Sequence, residues 1–110
     1  MISINRVQLI GEIKSSPNFS DNQGKELARF TVLTCDYYKV AGKRHIERQW
    51  HEVVAFGKQA ILVKLHLKQG DEIVVDGSIS KRKCADENGG EIVITEIIAH
   101  DIMYAFTKRA

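Results

Sequence analysis

Within Gln49–Phe56, apolar side chains occupy both parities of the chain, and this limits what the sequence can fold into more than any other feature. Read at alternate positions, Trp50, Val54 and Phe56 share one face, while His51, Val53 and Ala55 share the other. Successive residues of a strand point to opposite sides of a sheet, so both faces of this strand are occupied. One face, with Val53 and Ala55, serves a core. The other carries the single Trp of the chain and a Phe two residues after Val54, both directed to solvent. Flanked by Arg48 and Lys58, these rings would form a flat apolar and cationic surface of the kind an unpaired nucleic-acid base can stack on.

The surrounding pattern supplies the rest of a barrel. Val7, Leu9, Gly11 and Ile13 alternate with Arg6, Gln8, Ile10 and Glu12, which predicts a first strand over Asn5–Lys14. Ser15–Gly24 holds the only proline, Pro17, and reads as a loop. Glu26–Tyr38 is a second strand with Ala28, Phe30, Val32 and Thr34 on one side, and Val40–His45 forms a hairpin loop. The third strand is Ile46–Phe56, the fourth Glu72–Lys81 and the fifth Glu91–Met103, with Asp86–Gly90 as the turn before the last. Between the third and fourth strands, Ala60, Val63 and Leu67 recur at helical spacing, widened by Ile61, Leu62 and Leu65, and Gly70 stops the helix. Five strands with one short helix in that place is the element order of an all-β OB-fold barrel.

At 110 residues the chain is long enough for one domain, taken as residues 1–110, and buries roughly two-thirds of its unfolded surface. No apolar stretch approaches a membrane span, and Met1–Arg6 lacks the features of a signal or transit peptide. Cys35 and Cys84 form no CxxC pair, so a reducing cytoplasm fits best. The formal charge is only +2, but its distribution is uneven. Lys39, Lys43, Arg44 and Arg48, less Glu47, carry +3, and Lys81, Arg82 and Lys83 carry another +3, so the remainder of the chain carries −4. Two cationic segments on an acidic body, flanking an aromatic strand, fit a polyanion such as nucleic acid. The cysteines and four histidines lack zinc-ligand spacing, and the aspartates Asp36, Asp76, Asp86 and Asp101 are scattered. No catalytic residue, metal site or cofactor is expected.

Several of these residues also match a known family. Asn5-Arg6-Val7, Leu9-Ile10-Gly11, Phe30-Thr31 and the run Trp50–Ala60 are similar to bacterial single-stranded-DNA-binding proteins. So are Leu67–Gly70 leading to Val75–Ile79, and Arg82-Lys83 leading to Thr95-Glu96-Ile97. The resemblance covers nearly the whole chain in order. It implies an OB fold, usually a homotetramer, that coats single strands in replication, recombination and repair without sequence preference. It also implies stacking on Trp50, Phe56 and Tyr38, and phosphate contacts from Arg82, Lys83 and Lys58. His51 corresponds to a subunit contact, and the first strand, including Asn5, Val7 and Leu9, to a segment paired between subunits. From the residues themselves, Lys39, Lys43, Arg44, Arg48 and Lys81 join the phosphate-binding set.

Three departures stand out. Cys84 replaces a stacking Trp found in many relatives, and Glu52 stands where relatives often carry a basic residue, on the outward face of Trp50. The chain also ends at Ala110 without the family's acidic tail, which recruits replication and repair proteins. A chain trimmed to its DNA-binding core and a tailless phage, plasmid or paralogous relative both stay open. The expected setting is the bacterial cytoplasm, in association with the nucleoid. The alternatives are a dimeric primosomal protein of the same fold, bridging replication-restart factors, and an OB-fold protein-interaction module.

Overall fold

In the computed structural model, which describes residues 1–22 and 24–106, the expected alternation becomes six strands and one helix. These are β1 Val7–Ile13, β2 Asn18–Asn22, β3 Lys25–Val40, β4 Lys43–Phe56, α1 Lys58–His66, β5 Glu72–Ala85 and β6 Glu91–Phe106. The sheet order is β1-β5-β6-β4-β3-β2, and a further pairing of β1 with β3 closes five of the strands into a barrel. Closure uses only Glu12 opposite Leu33 and Ile13 opposite Val32. β4 and β6 run parallel through Val53–Ala55 and Ile97–Ala99; the other neighbours are antiparallel.

The inward positions read from alternation reach the core. Ile13, Ala28, Phe30, Val32, Val53, Ala55, Ile73 and Val75 are all buried in one cluster, with Val7 and Leu9 packed against it. Two glycines allow the strands to approach. A Cβ at Gly11 would lie 2.3 Å from the Leu33 carbonyl oxygen where the barrel closes, and one at Gly77 would lie 2.0 Å from that of Ile98. Gly77 also sits at a register shift between Asp76 and Gly77, a bulge that bends the β5–β6 pair.

Four expectations need correction. Ser15–Gly24 is not wholly loop, because Asn18–Asn22 pairs antiparallel with Lys25–Arg29 and extends the edge of β3. Its Asn, Ser and Asp residues have low strand propensity, and the waiting edge overrides it. Val40–His45 is not a loop either. β3 and β4 remain paired to Val40 and Lys43, and only Ala41 and Gly42 turn, with φ of 52° and 77°. Positive φ at both central residues matches the twist of the flanking strands, which favours such two-residue hairpins. The β5–β6 strands likewise run past Lys81 and Met103, to Ala85 and Phe106.

The helix, finally, ends at His66 rather than near Gln69. Leu67 is extended and enters the core, the buried Asp71 side chain accepts the Lys68 N–H at 3.1 Å, and the Gly70 N–H donates to Ile13 at 2.8 Å. Gly70, at φ 99°, therefore turns the chain after the helix instead of ending it. Ala60 and Val63 are buried, while Ile61 and Leu65 stay exposed, so the apolar stripe is narrower than the sequence indicates. Among the described residues, no helix is long and apolar enough to cross a membrane.

Candidate nucleic-acid interface

The β3–β4 hairpin determines which side chains share a surface. Its register is unbroken from Leu27 opposite Phe56 to Val40 opposite Lys43. Cross-strand partners share a face, so Phe56, Val54, Glu52, Trp50, Arg48, Ile46 and Arg44 lie beside Leu27, Arg29, Thr31, Leu33, Cys35, Tyr37 and Lys39. Trp50 is 61% exposed and Phe56 51%, so both rings are available to a stacking partner. Val54 shares their parity yet is buried. At that point β4 is flanked by both β3 and β6, with Arg29 and Ile98 in register on either side.

Tyr38 has the opposite parity. No bulge turns it, and its ring stacks on that of His45 with centroids 5.3 Å apart. Tyr37 instead shares the face of Trp50 and is more exposed, at 75%. Both tyrosines, with Lys39, Arg44, His45 and Ile46, line one hollow of about 430 Å³ at the arm. Tyr37 was missed because Tyr38, matched to a family aromatic, was taken in its place, although the parity of Ala28, Phe30, Val32 and Thr34 already puts Tyr37 on the other face.

The basic residues separate in the same manner. Lys39, Arg44 and Arg48 lie on the Trp50 side of the arm, and Lys43 on the other. In β5, Arg82 lies opposite Ile94 and shares a face with Glu96, whereas Lys81 and Lys83 have the alternate parity. Lys83 also lies 4.0 Å from Glu91. Lys58 begins the helix and, with Phe56, Gly57 and Lys25, lines a hollow of about 520 Å³; the sequence reading had not picked out Lys25. Gly57 makes the strand-to-helix turn at φ 57° and donates its N–H to Glu26.

Two acidic residues modify this surface. Glu52 accepts a hydrogen bond from Thr31 Oγ1 at 3.1 Å, across the hairpin rather than from Arg48. Glu96 is only 5% exposed and bridges two arginines: Arg82 Nε donates to it at 2.9 Å, and Arg29 Nη1 donates to its other oxygen. Hydrogen bonding from Arg82 chiefly, with Arg29 adding to it, holds the Glu96 carboxyl below the usual carboxylate range against the opposing effect of burial. Arg82 also donates to Cys84 Sγ at 3.0 Å, so the thiol lies on the cationic surface. A hollow of about 200 Å³ between Trp50, Glu52 and Glu96 lies where β4 departs from β6.

The residues matched to subunit contacts have partners within the chain. Asn5 bonds the backbone of Ile79 through both ends of its amide, at 2.7 and 2.8 Å. His51 Nε2 is hydrogen-bonded to Thr34 Oγ1 at 2.9 Å. Among the described residues, no group of three or more His, Cys, Asp or Glu side chains could hold a metal ion.

The family model described as the single-strand binding protein family matches residues 4–105. The chain is 34% identical over 112 residues to single-stranded DNA-binding protein 1 of Xylella fastidiosa, covering 99% of this chain and 82% of that protein. In fold it is similar to the Plasmodium falciparum SSB solved in complex with ssDNA, with a TM-score of 0.89 at 24% identity, over 96% of this chain and 98% of that one. The small single-stranded DNA-binding protein of Streptomyces coelicolor gives 0.73 at 22% identity, over 90% and 92%.

Proposed function

The chain belongs to the single-strand binding protein family, and we propose that it coats single-stranded DNA without sequence preference and catalyses no reaction. The observation that carries this is the outward ring of Trp50, with Arg48 two residues away on the same face and the core on the other. Bases stack on Trp50 and Phe56, with Tyr38 at the arm, and each stacked base contributes about 1–3 kcal/mol. Phosphates are drawn by Lys39, Lys43, Arg44 and Arg48 on the first arm, by Lys81, Arg82 and Lys83 on the second, and by Lys58 at the helix. No side chain is required to read a base edge, so binding tolerates any sequence. A likeness to the Xylella protein, and in fold to one solved with single-stranded DNA, supports the same partner. The coat would serve replication, recombination and repair in the bacterial cytoplasm, with residues 1–110 acting as one domain.

The test uses the one Trp of the chain as reporter. Titration with oligo-dT in low salt should strongly quench its fluorescence and reverse as salt is raised. A titration with no quenching in low salt overturns the proposal.

We infer further that copies assemble, with tetramers preferred to dimers. β1 gives one edge to β5 and the other to β3 only at its last two residues, so much of an edge remains for pairing. Ile10, 62% exposed, faces Val74 in β5, which in turn faces Met103, 53% exposed, in β6. Such a strip across three strands favours burial against a second copy. Sedimentation equilibrium should return the mass of four chains; a mass of two favours the primosomal alternative, and a monomer ends both.

A further inference from the structure

Arg29 stands opposite Val54, on the face that carries Trp50 and Phe56 and between the two. Trp50 and Phe56 are six residues apart, about 20 Å along a strand rising ~3.3 Å per residue. A single strand stacked on both rings must carry several nucleotides over that interval, and their phosphates need cationic partners. Of the intervening rungs, Thr31 and Glu52 are hydrogen-bonded to each other and offer no positive charge. The next rung is Arg29.

Its setting is built rather than incidental. Glu96 is buried beneath the face and accepts from both Arg29 and Arg82, while the two arginine side chains remain 42% and 45% exposed. Two guanidinium charges against one carboxylate leave the cluster at +1. Each guanidinium has five N–H donors in a rigid fork, so Glu96 fixes one part of the fork and leaves the rest toward solvent. Among the described residues, Glu96 is the only side-chain partner of Arg29.

We propose that Arg29 is a phosphate-binding residue, positioned with Arg82 by Glu96 to hold the nucleic-acid backbone between the Trp50 and Phe56 platforms. This deepens the single-strand-binding reading and rests on it. Glu96 acts as a positioning residue: without its carboxylate the two guanidiniums would repel one another and swing apart.

The experiment measures oligo-dT binding over a series of salt concentrations, by polarisation of a labelled oligonucleotide, for the wild type, Arg29→Gln and Lys68→Gln. Lys68 follows the helix, lines none of the hollows beside Trp50, Phe56 or the hairpin arm, and its exchange removes the same charge. Arg29→Gln is expected to weaken binding roughly tenfold, in line with the loss of one charge-assisted hydrogen-bonding group. Its log–log salt slope should become shallower by about 0.7, the share of one phosphate on a single strand. Lys68→Gln should leave the slope unchanged. A wild-type slope in Arg29→Gln overturns the proposal, as does an equal change in Lys68→Gln, which would assign the effect to net charge. A second measurement needs no variant. In the wild type, oligo-dT should slow phenylglyoxal modification of Arg29, read by peptide mass; equal rates with and without DNA overturn the proposal. A wild type that fails to bind oligo-dT removes the parent reading as well, which separates the two failures.

Discussion

Exchange of Trp50 for Ala is expected to weaken oligo-dT binding by roughly 5- to 150-fold, the ratio that corresponds to losing one base–aromatic stack of about 1–3 kcal/mol. The fold should survive, because the ring is mostly exposed and little core volume is removed with it. What the sheet loses is a cross-strand pair with Leu33, about 0.2–1 kcal/mol. The salt slope should stay at its wild-type value, since no phosphate partner has been touched. That separates the effect from Arg29→Gln, in which slope and affinity change together. Polarisation of a labelled oligo-dT supplies the measurement, because the variant lacks its fluorophore. Trp50→Phe, which keeps an aromatic face, should fall between the two. Affinity in Trp50→Ala within twofold of the wild type would show that bases do not rest on this ring.

Strand parity made the barrel readable, and it failed where residues stop alternating or where a neighbouring strand is needed to complete the picture. Ile13, Phe30, Val32, Val53, Ile73 and Val75 were legible because each occupies the apolar side of an alternating run and each ends in the core. Trp50 and Phe56 were legible for the opposite reason, as large rings on the side the core did not need. Val54 was not. Its burial depends on β6 arriving in parallel beside it, a pairing between residues more than forty positions apart that no local pattern announces. The hairpin arm shows a second limit. Val40–His45 looks like a loop in composition, yet positive φ at Ala41 and Gly42 lets both strands continue to the tip. Once the arm is strand throughout, Lys39 and Arg44 join the face of Trp50 and Lys43 takes the other.

The charges were legible as clusters but not as pairs. Lys81-Arg82-Lys83 reads as one cationic run, while β5 sends the middle residue to the Trp50 side and its neighbours away. Glu96 appeared in the sequence only as part of a family motif. Its position under Arg29 and Arg82 depends on three strands meeting, and those pairings separate it from its partners by 67 and 14 residues. Glu52 stands where relatives often carry a basic residue, and Thr31, a neutral partner across the hairpin, fixes its orientation without removing the charge. The local field on this face is therefore milder than the run of basic residues implies. On the proposed reading, stacking then carries a larger share of the affinity than the basic run alone suggests.

Gly77→Ala should be the most damaging single methyl in the chain for stability. The added Cβ would lie 2.0 Å from the Ile98 carbonyl oxygen, 2.9 Å from its carbon and 3.3 Å from the Ala99 Cα. All three are backbone atoms of β6, so no flexible side chain can swing aside, and the two strands must separate at the bulge. Overpacking in a filled interior costs about 1–3 kcal/mol, and occasionally more. A clash with main chain belongs at or above the upper end, about 3 kcal/mol, out of a total of roughly 5–15 for a domain. At about 4–8 °C per kcal/mol for a chain near this size, the midpoint of thermal unfolding should fall by about 12 °C or more. Gly90→Ala is the control, since the nearest atoms to its Cβ belong to Asp86 at 3.8 and 3.9 Å and its midpoint should stay near wild type. Calorimetry that finds the two variants equally stable would show that the close approach at Gly77 is not required. The consequence reaches the interface as well. The bulge lies between the barrel and the arm that carries Arg82 and Glu96, so strands forced apart there would also shift the arginine pair relative to Trp50.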